Sequence, residues 1–268
     1  MKRNPIYDIR TSADALCTLV NFTGVAPPIW EQYIEHRSEY VYDEDLVEDV
    51  ISKNGTLPKN YEEWLFIFFH ITTSANDCKS IKKYGILDLK EAYRCKESEL
   101  RLFLDNKGIL IDIDEETLSY NNRTYDISRS RRPSQFDKVD YASWCIGNKL
   151  FYDYTICGFL SVWHKAPYGG GVHCRPEILN DIDNLLGLSL SEEWHLTHKA
   201  YEITAIIKGE DMLYNGNDEN TSKDKIIDYM TRAFNAAFGL PSEEIVLLKN
   251  NVQVLPERIV EVEPLRYW

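Results

Sequence analysis

The sequence lacks an excess of basic residues. Its 268 residues include 43 Asp and Glu but only 30 Lys and Arg, which gives a net charge of −13 with histidine neutral. Nucleic-acid binding that is driven mainly by counterion release needs a broadly basic surface, so this composition argues against a general polyanion binder. The hydrophobic fraction of 44% is that of a globular chain, and the length suits one large domain or a domain with an appendage.

Long apolar segments are also missing. The longest uninterrupted apolar run is the six residues from Trp64 to Phe69, whereas a membrane-spanning helix needs about 20. The first residues, Met1 to Asp8, do not contain the apolar core of a signal peptide. We therefore expect a soluble, cytoplasmic protein with no membrane partner.

The six cysteines include no C-x-x-C pair, so neither a zinc ribbon nor a dithiol redox motif is predicted. They fit buried thiols in a reducing compartment. His195 and His198 have helical spacing and His173 precedes Cys174, but no further ligand completes a metal-binding pattern, and no metal site is predicted. A nucleophilic cysteine paired with a histidine stays open, although no local sequence activates one.

The glycine motifs that bind nucleotides are absent as well. Neither G-x-G-x-x-G nor the P-loop pattern occurs, so a Rossmann site and a P-loop are not supported. The glycine triplet at 169–171 is typical of a flexible turn. One basic cluster, on a predicted loop, contains Arg129, Arg131 and Arg132 with Arg123 nearby. It fits either a solvated loop or a surface that recognises phosphate groups.

The pattern of apolar residues predicts two regions: a small helical extension over residues 1–60 and a mixed α+β domain over residues 61–268. The extension contains helices over 29–40 and after the acidic run at 43–45. In the domain, strands are predicted at 65–69, 109–113, on both sides of Asn121-Asn122, at 201–207, and as a terminal hairpin of 244–248 with 252–262. Helices are predicted at 78–84, 97–106, 146–163, 176–186 and 222–238.

The segment 69–86 carries the main functional pattern. It places His70 at the end of a predicted buried strand, follows it with the hydroxyl of Thr72, and continues into a capped helix that ends on Gly85-Ile86. This order resembles the first signature of the ADP-ribosyltransferase fold, in which a strand with His-x-Thr/Ser is followed by a helix and Gly-Leu/Ile, as in diphtheria toxin and the poly(ADP-ribose) polymerases.

Two further signatures of that branch follow in the family's order. Tyr141 and Tyr152 have ten residues between them, which is the family's tyrosine spacing, with the first on a strand and the second on the next helix. Glu244 opens the predicted strand Glu-Ile-Val-Leu-Leu, as the family's glutamate opens a late strand. The resemblance covers residues 61 to 265 and implies a split β-sheet core with flanking helices.

The resemblance also implies NAD as co-substrate. Cleavage of the bond between nicotinamide and ribose develops positive charge on the ribose, and a carboxylate such as Glu244 stabilises that charge. The nicotinamide ring is cationic, so Tyr141 and Tyr152 would sandwich it between their aromatic faces.

The first signature supplies the remaining contacts to NAD. His70 would hold a ribose hydroxyl, with Thr72 supporting it. The backbone of Ile71 would bond to the carboxamide; the family usually has glycine there, so isoleucine departs from its pattern.

Each of these residues also has a purely structural interpretation. His70 fits a buried structural histidine, the two tyrosines fit core packing, and Glu244 fits an exposed turn. Glu243 is the rival catalytic carboxylate, because a shift of one residue in strand register exchanges the two faces of the sheet.

Taken together, the sequence predicts an NAD-dependent mono-ADP-ribosyltransferase that modifies a protein or nucleic-acid acceptor. By analogy we expect an intracellular toxin or phage-defence enzyme, with an antitoxin or inhibitor protein as a possible partner. NAD hydrolysis and tRNA 2′-phosphotransfer are enzymatic alternatives on the same fold. The non-enzymatic alternative is a degenerate domain that binds a nucleotide or a partner protein.

Overall fold

Helices and strands alternate irregularly along the chain. A computed structural model describes residues 5–161, 171–214, 221–239 and 243–265. Its helices are α1 (Ser12–Thr23), α2 (Pro27–Glu35), α3 (Asp43–Asn54), α4 (Lys79–Tyr84), α5 (Leu89–Arg94), α6 (Glu99–Asn106), α7 (Lys138–Phe151), α8 (Glu177–Leu186), α9 (Leu190–Thr197) and α10 (Ser222–Ala237). Its strands are β1 (Ile6–Tyr7), β2 (Leu65–Ser74), β3 (Leu110–Asp112), β4 (Thr117–Tyr120), β5 (Arg123–Asp126), β6 (Cys157–Ser161), β7 (Lys199–Lys208), β8 (Met212–Leu213), β9 (Glu244–Leu248) and β10 (Ile259–Pro264). The structure confirms a mixed fold of sheet and flanking helices.

The described chain divides into two compact units. The first unit contains residues 5–69, 157–161, 205–214, 221–239 and 243–249, and the second contains residues 70–156, 171–204 and 250–265. Strands β2 and β7 contribute residues to both. The division therefore does not fall at residue 60, where the sequence suggests a boundary; the helices of that region belong to the same unit as α10 and β9.

In the first unit the strand order is β7–β2–β6–β9–β8, and β1 pairs in parallel with β2. Strand β6 is antiparallel to both β2 and β9. Helices α1 and α3 pack against α10, and the Ser12 hydroxyl donates to the carbonyl of Ala236 at 3.0 Å. This packing makes residues 5–60 part of the unit's core.

Aromatic side chains fill the centre of the first unit. Tyr7, Trp64, Phe66 and Tyr229 are buried, and Phe22 is nearly so. The Tyr7 and Phe66 rings lie 4.9 Å apart, and Phe22 meets Trp64 edge-on at 4.5 Å. Because each such ring removes a large apolar area from water, this cluster is a main source of the unit's stability.

Local sequence signals set the ends of several helices. Thr221 and Asp224 form a capping box at the start of α10. Helix α1 begins after Thr11, whose side chain accepts the N–H of Asp14, and ends at Gly24 in the left-handed conformation. These ends need no tertiary partner, which is why they can be identified from sequence.

The second unit combines strands in the order β10–β7–β2 with a separate antiparallel sheet, β3–β4–β5. The predicted hairpin at Asn121-Asn122 is confirmed, with φ of 48° and 60° at the two asparagines. Gly147 lets α7 approach the chain at Ile127 closely, because a Cβ there would lie 1.8 Å from the Ile127 carbonyl oxygen.

One long helix was predicted wrongly. The sequence suggests a helix over 146–163, but α7 ends at Phe151 and residues 157–161 form β6. Short apolar runs suit a buried strand as well as a helix. Gly158 is a poor helix former, and in β6 its missing side chain makes room for Phe68, whose ring would lie 2.2 Å from a Cβ there. Residues 162 and 163, like Gly169 and Gly170 of the glycine triplet, lie outside the described residues.

The predicted terminal hairpin is also wrong. Strand β9 pairs with β6 and β8 in the first unit. Strand β10 neighbours β7 in the second unit, where the N–H of Leu265 donates to the carbonyl of Ala200 at 2.9 Å. The two strands are close in sequence but have different partners, and partner choice depends on tertiary packing rather than on the turn between them.

Candidate functional site

The predicted site residues are divided between the two units. Glu244 opens β9 in the first unit. The other residues belong to the second unit and lie on β2 or along α7: His70, Ile71, Thr72, Tyr141 and Tyr152. The surroundings of Glu244 and those of the residues on β2 and α7 are therefore described separately.

Glu244 forms an ion pair with Arg232 of α10. The Arg232 Nη1 donates to Glu244 Oε2 at 2.6 Å, and the same guanidinium contacts Asp228 through two hydrogen bonds of 3.2 and 2.9 Å. The side chains of Glu244 and Arg232 are only 17% and 20% exposed. A cation thus lies between two carboxylates in a mostly water-excluded place.

Burial and charge act in opposite directions on Arg232. Burial alone lowers the pKa of its guanidinium, but the carboxylates of Asp228 and Glu244 outweigh burial and raise that pKa above its ordinary value. The guanidinium also lies 5.6 Å from the centre of the Tyr229 ring. Arg232 is therefore a fixed positive charge beside Glu244.

The surrounding tyrosines are held neutral. Burial raises the pKa of both Tyr7 and Tyr229 well above the ordinary value. The Tyr7 hydroxyl donates to the carbonyl of Tyr229 at 2.7 Å. Among the described residues, the neighbours of Glu244 thus include the Arg232 guanidinium, which Glu244 shares with Asp228, and neutral phenols.

The pairing of β9 with β6 in the first unit fixes which residue lies opposite Glu244. Phe69 and Ile245 both pair with Phe159 of β6, and Glu244 pairs with Ser161 across a register irregularity. Phe69 directly precedes His70 in sequence, and Ile245 directly follows Glu244. Glu243 precedes β9 and takes no part in this pairing.

The first signature lies inside β2 rather than at its end. Strand β2 continues to Ser74, four residues beyond His70. Ile71 is buried, whereas His70 and Thr72 are half-buried. Alternation along a strand puts His70 and Thr72 on one face and Ile71 on the other, so only the first two side chains share a surface.

The predicted placement of the tyrosine pair is wrong. Tyr141 lies in the first turns of α7, not on a strand, because Asp137 caps that helix by accepting the N–H of Asp140. Tyr152 is the residue that ends the same helix and is 53% exposed. Three turns of helix separate the Cα atoms of the two residues by about 16 Å along the axis, so the pair does not have the strand-then-helix arrangement on which the predicted ring sandwich depends.

A polar network in the second unit was missed from the sequence. Glu99 accepts the Ser74 hydroxyl through Oε1 at 2.5 Å and the N–H of Ala75 through Oε2 at 2.7 Å. His198 Nε2 lies 3.6 Å from the same Oε2 of Glu99. The His198 ring stacks on Trp194 at 3.6 Å. The only sequence signal was Ser98, whose capping of α6 puts Glu99 in the first helical turn.

We expect His198 to make stability depend on pH. Burial lowers its pKa, and its contacts with the Trp194 carbonyl and Glu99 only partly offset this. The unfolded chain therefore binds more protons than the folded one below about pH 6.5, and stability falls as the pH falls through that value. Thermal unfolding should show a decrease in Tm from pH 7.5 to 5.5 that is smaller in His198→Gln.

A matched control for His198 lies on the same helix. His195 is exposed, so His195→Gln should keep the wild-type difference in Tm between the two pH values. An equal reduction of that difference in both variants would contradict the assignment to His198.

Burial keeps two of the cysteines protonated. All six are free thiols. Burial raises the pKa of Cys78 to about 11 and also raises that of Cys145, so both are protonated at neutral pH. Among the described residues no group of three or more His, Cys, Asp or Glu is placed to hold a metal ion.

A surface cavity of about 230 Å³ in the first unit contains none of the predicted site residues. It is lined by Pro5, Phe22, Pro58, Lys59, Asn60, Glu63 and Trp64. The Trp64 indole N–H donates to the carbonyl of Lys59 at 2.9 Å, so the indole group on this wall already has a hydrogen-bond partner.

Comparison with known proteins found no matching family model, no similar curated protein and no similar solved structure. Within the described part of the chain, no helix is both long enough and apolar enough to cross a membrane.

Proposed function

We propose that this chain is an NAD-dependent mono-ADP-ribosyltransferase with an ADP-ribosyltransferase-like sheet. One observation in the first unit carries the proposal: the strand that leads into His70 and the strand that Glu244 opens both pair with β6, with Phe69 and Ile245 opposite the same residue, Phe159. The residue before His70 and the residue after Glu244, which are far apart in the chain, thus pair with the same residue of β6.

Glu244 is the residue to which we assign charge stabilisation. Loss of nicotinamide leaves positive charge on the ribose, and a carboxylate held in a mostly buried place stabilises such charge more strongly than one in water. Arg232 fixes the position of the carboxylate through Oε2. His70 and Thr72, on one face of β2, are assigned to the ribose hydroxyls.

The tyrosines need a revised role. Since Tyr141 and Tyr152 lie three turns apart on α7, the proposal contains no ring sandwich made by this pair. Tyr141 is moreover engaged by Arg132, which donates to its hydroxyl at 2.9 Å. Binding of the nicotinamide ring is left to other groups, and the roles of His70 and Glu244 do not depend on it.

The acceptor is a protein or a nucleic acid, and a cytoplasmic toxin or phage-defence enzyme with an inhibitor protein is the biology that we infer by analogy. The competing proposal is a degenerate binding module. The ion pair with Arg232 favours the binding module, because a guanidinium at 2.6 Å from Glu244 already neutralises the carboxylate that catalysis needs.

The test is incubation of the purified full chain with NAD labelled in the adenylate, together with separate protein, RNA and DNA fractions of a cell lysate. We expect nicotinamide release and transfer of label to one fraction. Nicotinamide release without transfer would indicate an NAD hydrolase, and absence of both would favour the binding module.

A further inference from the structure

A basic surface loop in the second unit has no part in the function proposed above. We call residues 127–138 the arginine loop; it connects β5 to the first residue of α7. Four of its residues are basic and one is acidic, a net charge of +3 in a chain whose net charge is −13. Positive charge is therefore concentrated in this loop, although the chain as a whole is negatively charged.

Ion pairing and backbone packing hold the arginine loop against α7. Its first residue, Ile127, packs against Gly147, where the absence of a side chain permits close contact. Arg129 forms an ion pair with Asp140 in the first turn of α7. The loop is thus attached to a helix at more than one point, and its conformation is partly organised before any ligand binds.

Arg132 fixes the loop to aromatic rings. Its guanidinium lies 5.4 Å from the centre of the Tyr141 ring and 5.5 Å from that of Trp144, and it donates to the Tyr141 hydroxyl at 2.9 Å. A guanidinium and aromatic rings that lie close together in this way can also contact a planar ligand.

The loop exposes a phenyl ring and an arginine on the same short segment. Phe136 is 97% exposed, and no carboxylate among the described residues pairs with the exposed Arg131. Val139, at the start of α7, is 51% exposed as well. A single exposed apolar residue is ordinary, but here the ring lies five residues from a free guanidinium on an organised loop.

We propose that the arginine loop binds single-stranded nucleic acid. Unpaired bases stack on exposed aromatic and guanidinium planes, and the phosphates pair with arginine. An acidic peptide would use the arginines but would have no need of Phe136. Double-stranded nucleic acid hides its base faces, so it would not use the ring either.

Binding of a strand to the arginine loop does not rest on the function proposed above. The binding assay contains no NAD. Its failure would leave nicotinamide release untouched, and a failure of NAD cleavage would leave strand binding untouched.

The experiment measures binding of the full chain to fluorescently labelled 12-nucleotide RNA and DNA by anisotropy, between 50 and 200 mM salt. Because Arg129 is paired with Asp140, contact of two to three cations with phosphate predicts a slope of log affinity against log salt of about −1.4 to −2. Phe136→Ala should weaken binding about tenfold, and Arg131→Ala should reduce the slope by about 0.7.

Lys96→Ala is the matched control, because Lys96 is an exposed cation of the same unit outside the loop; it should bind as the wild type does. Phe136 and Arg131 are exposed, so their variants should keep the wild-type Tm. Stronger binding of RNA or of DNA would identify the strand. The proposal is overturned if neither strand binds at 50 mM salt, if Lys96→Ala weakens binding equally, or if a poly-glutamate peptide competes fully and Phe136→Ala has no effect.

Discussion

We expect Glu244→Gln to reduce the proposed release of nicotinamide from NAD by at least about 100-fold, the usual loss when one group that stabilises transition-state charge is removed. Glutamine keeps the size and hydrogen-bonding capacity of the side chain but not its negative charge. Single-turnover release of nicotinamide, followed by chromatography, measures the effect. The reduction should appear in the rate and not in the affinity for NAD, because the charge develops only as the bond breaks.

Glu243→Gln is the control for this prediction. Glu243 precedes β9, so its substitution leaves the pairing of Glu244 with Ser161 in place, and activity should remain near that of the wild type. Loss of activity in Glu243→Gln with activity retained in Glu244→Gln would assign the catalytic role to the neighbouring residue. Tm must be measured for both, because Glu244→Gln also removes the ion pair with Arg232.

We expect Arg232→Met to lower the free energy of unfolding by about 2 kcal/mol, less than the loss of one partner costs in a fully buried ion pair, because these side chains are about a fifth exposed. Methionine preserves much of the apolar stem but leaves the carboxylates of Asp228 and Glu244 without their shared cation. Denaturant unfolding followed by tryptophan fluorescence measures the change. Arg232→Lys, which keeps the charge but not the forked geometry, should lose less stability.

Lys223→Met is the control on the same helix. Lys223 pairs with Glu48 at the protein surface, and exposed pairs contribute little, so stability should stay close to that of the wild type. If Arg232→Met were equally harmless, the pair with Glu244 would not be the fixed element that the proposed site needs. If Arg232→Met were folded and more active than the wild type, the ion pair with Arg232 would be inhibiting catalysis by Glu244.

Features encoded by neighbouring residues were predicted well from the sequence. The Asn121-Asn122 hairpin depends on two asparagines that accept positive φ, and α10 starts where a threonine and an aspartate cap it. The strand that Glu244 opens was predicted because its β-branched and apolar residues are bounded by polar ones. Each of these signals lies within a few residues.

Features that depend on distant residues were not predicted. The chain contains 17 tyrosines, so a pair with a given spacing arises by chance, and Tyr141 and Tyr152 proved to share a helix. Arg232 reaches Glu244 from twelve residues away, and Ser74 reaches Glu99 from 25. Such contacts follow from packing between elements, which apolar periodicity does not specify.

The hydrogen bond from Tyr7 to the carbonyl of Tyr229 spans 222 residues of sequence, and this has a consequence for synthesis of the chain. Contacts of such sequence separation form slowly, because closing a long loop costs conformational entropy before the contact contributes any stability. On the ribosome, a domain folds only once its residues have emerged. The first unit therefore completes its aromatic core only after Tyr229 has been made, and Glu244 meets Arg232 only after a further stretch of chain has emerged.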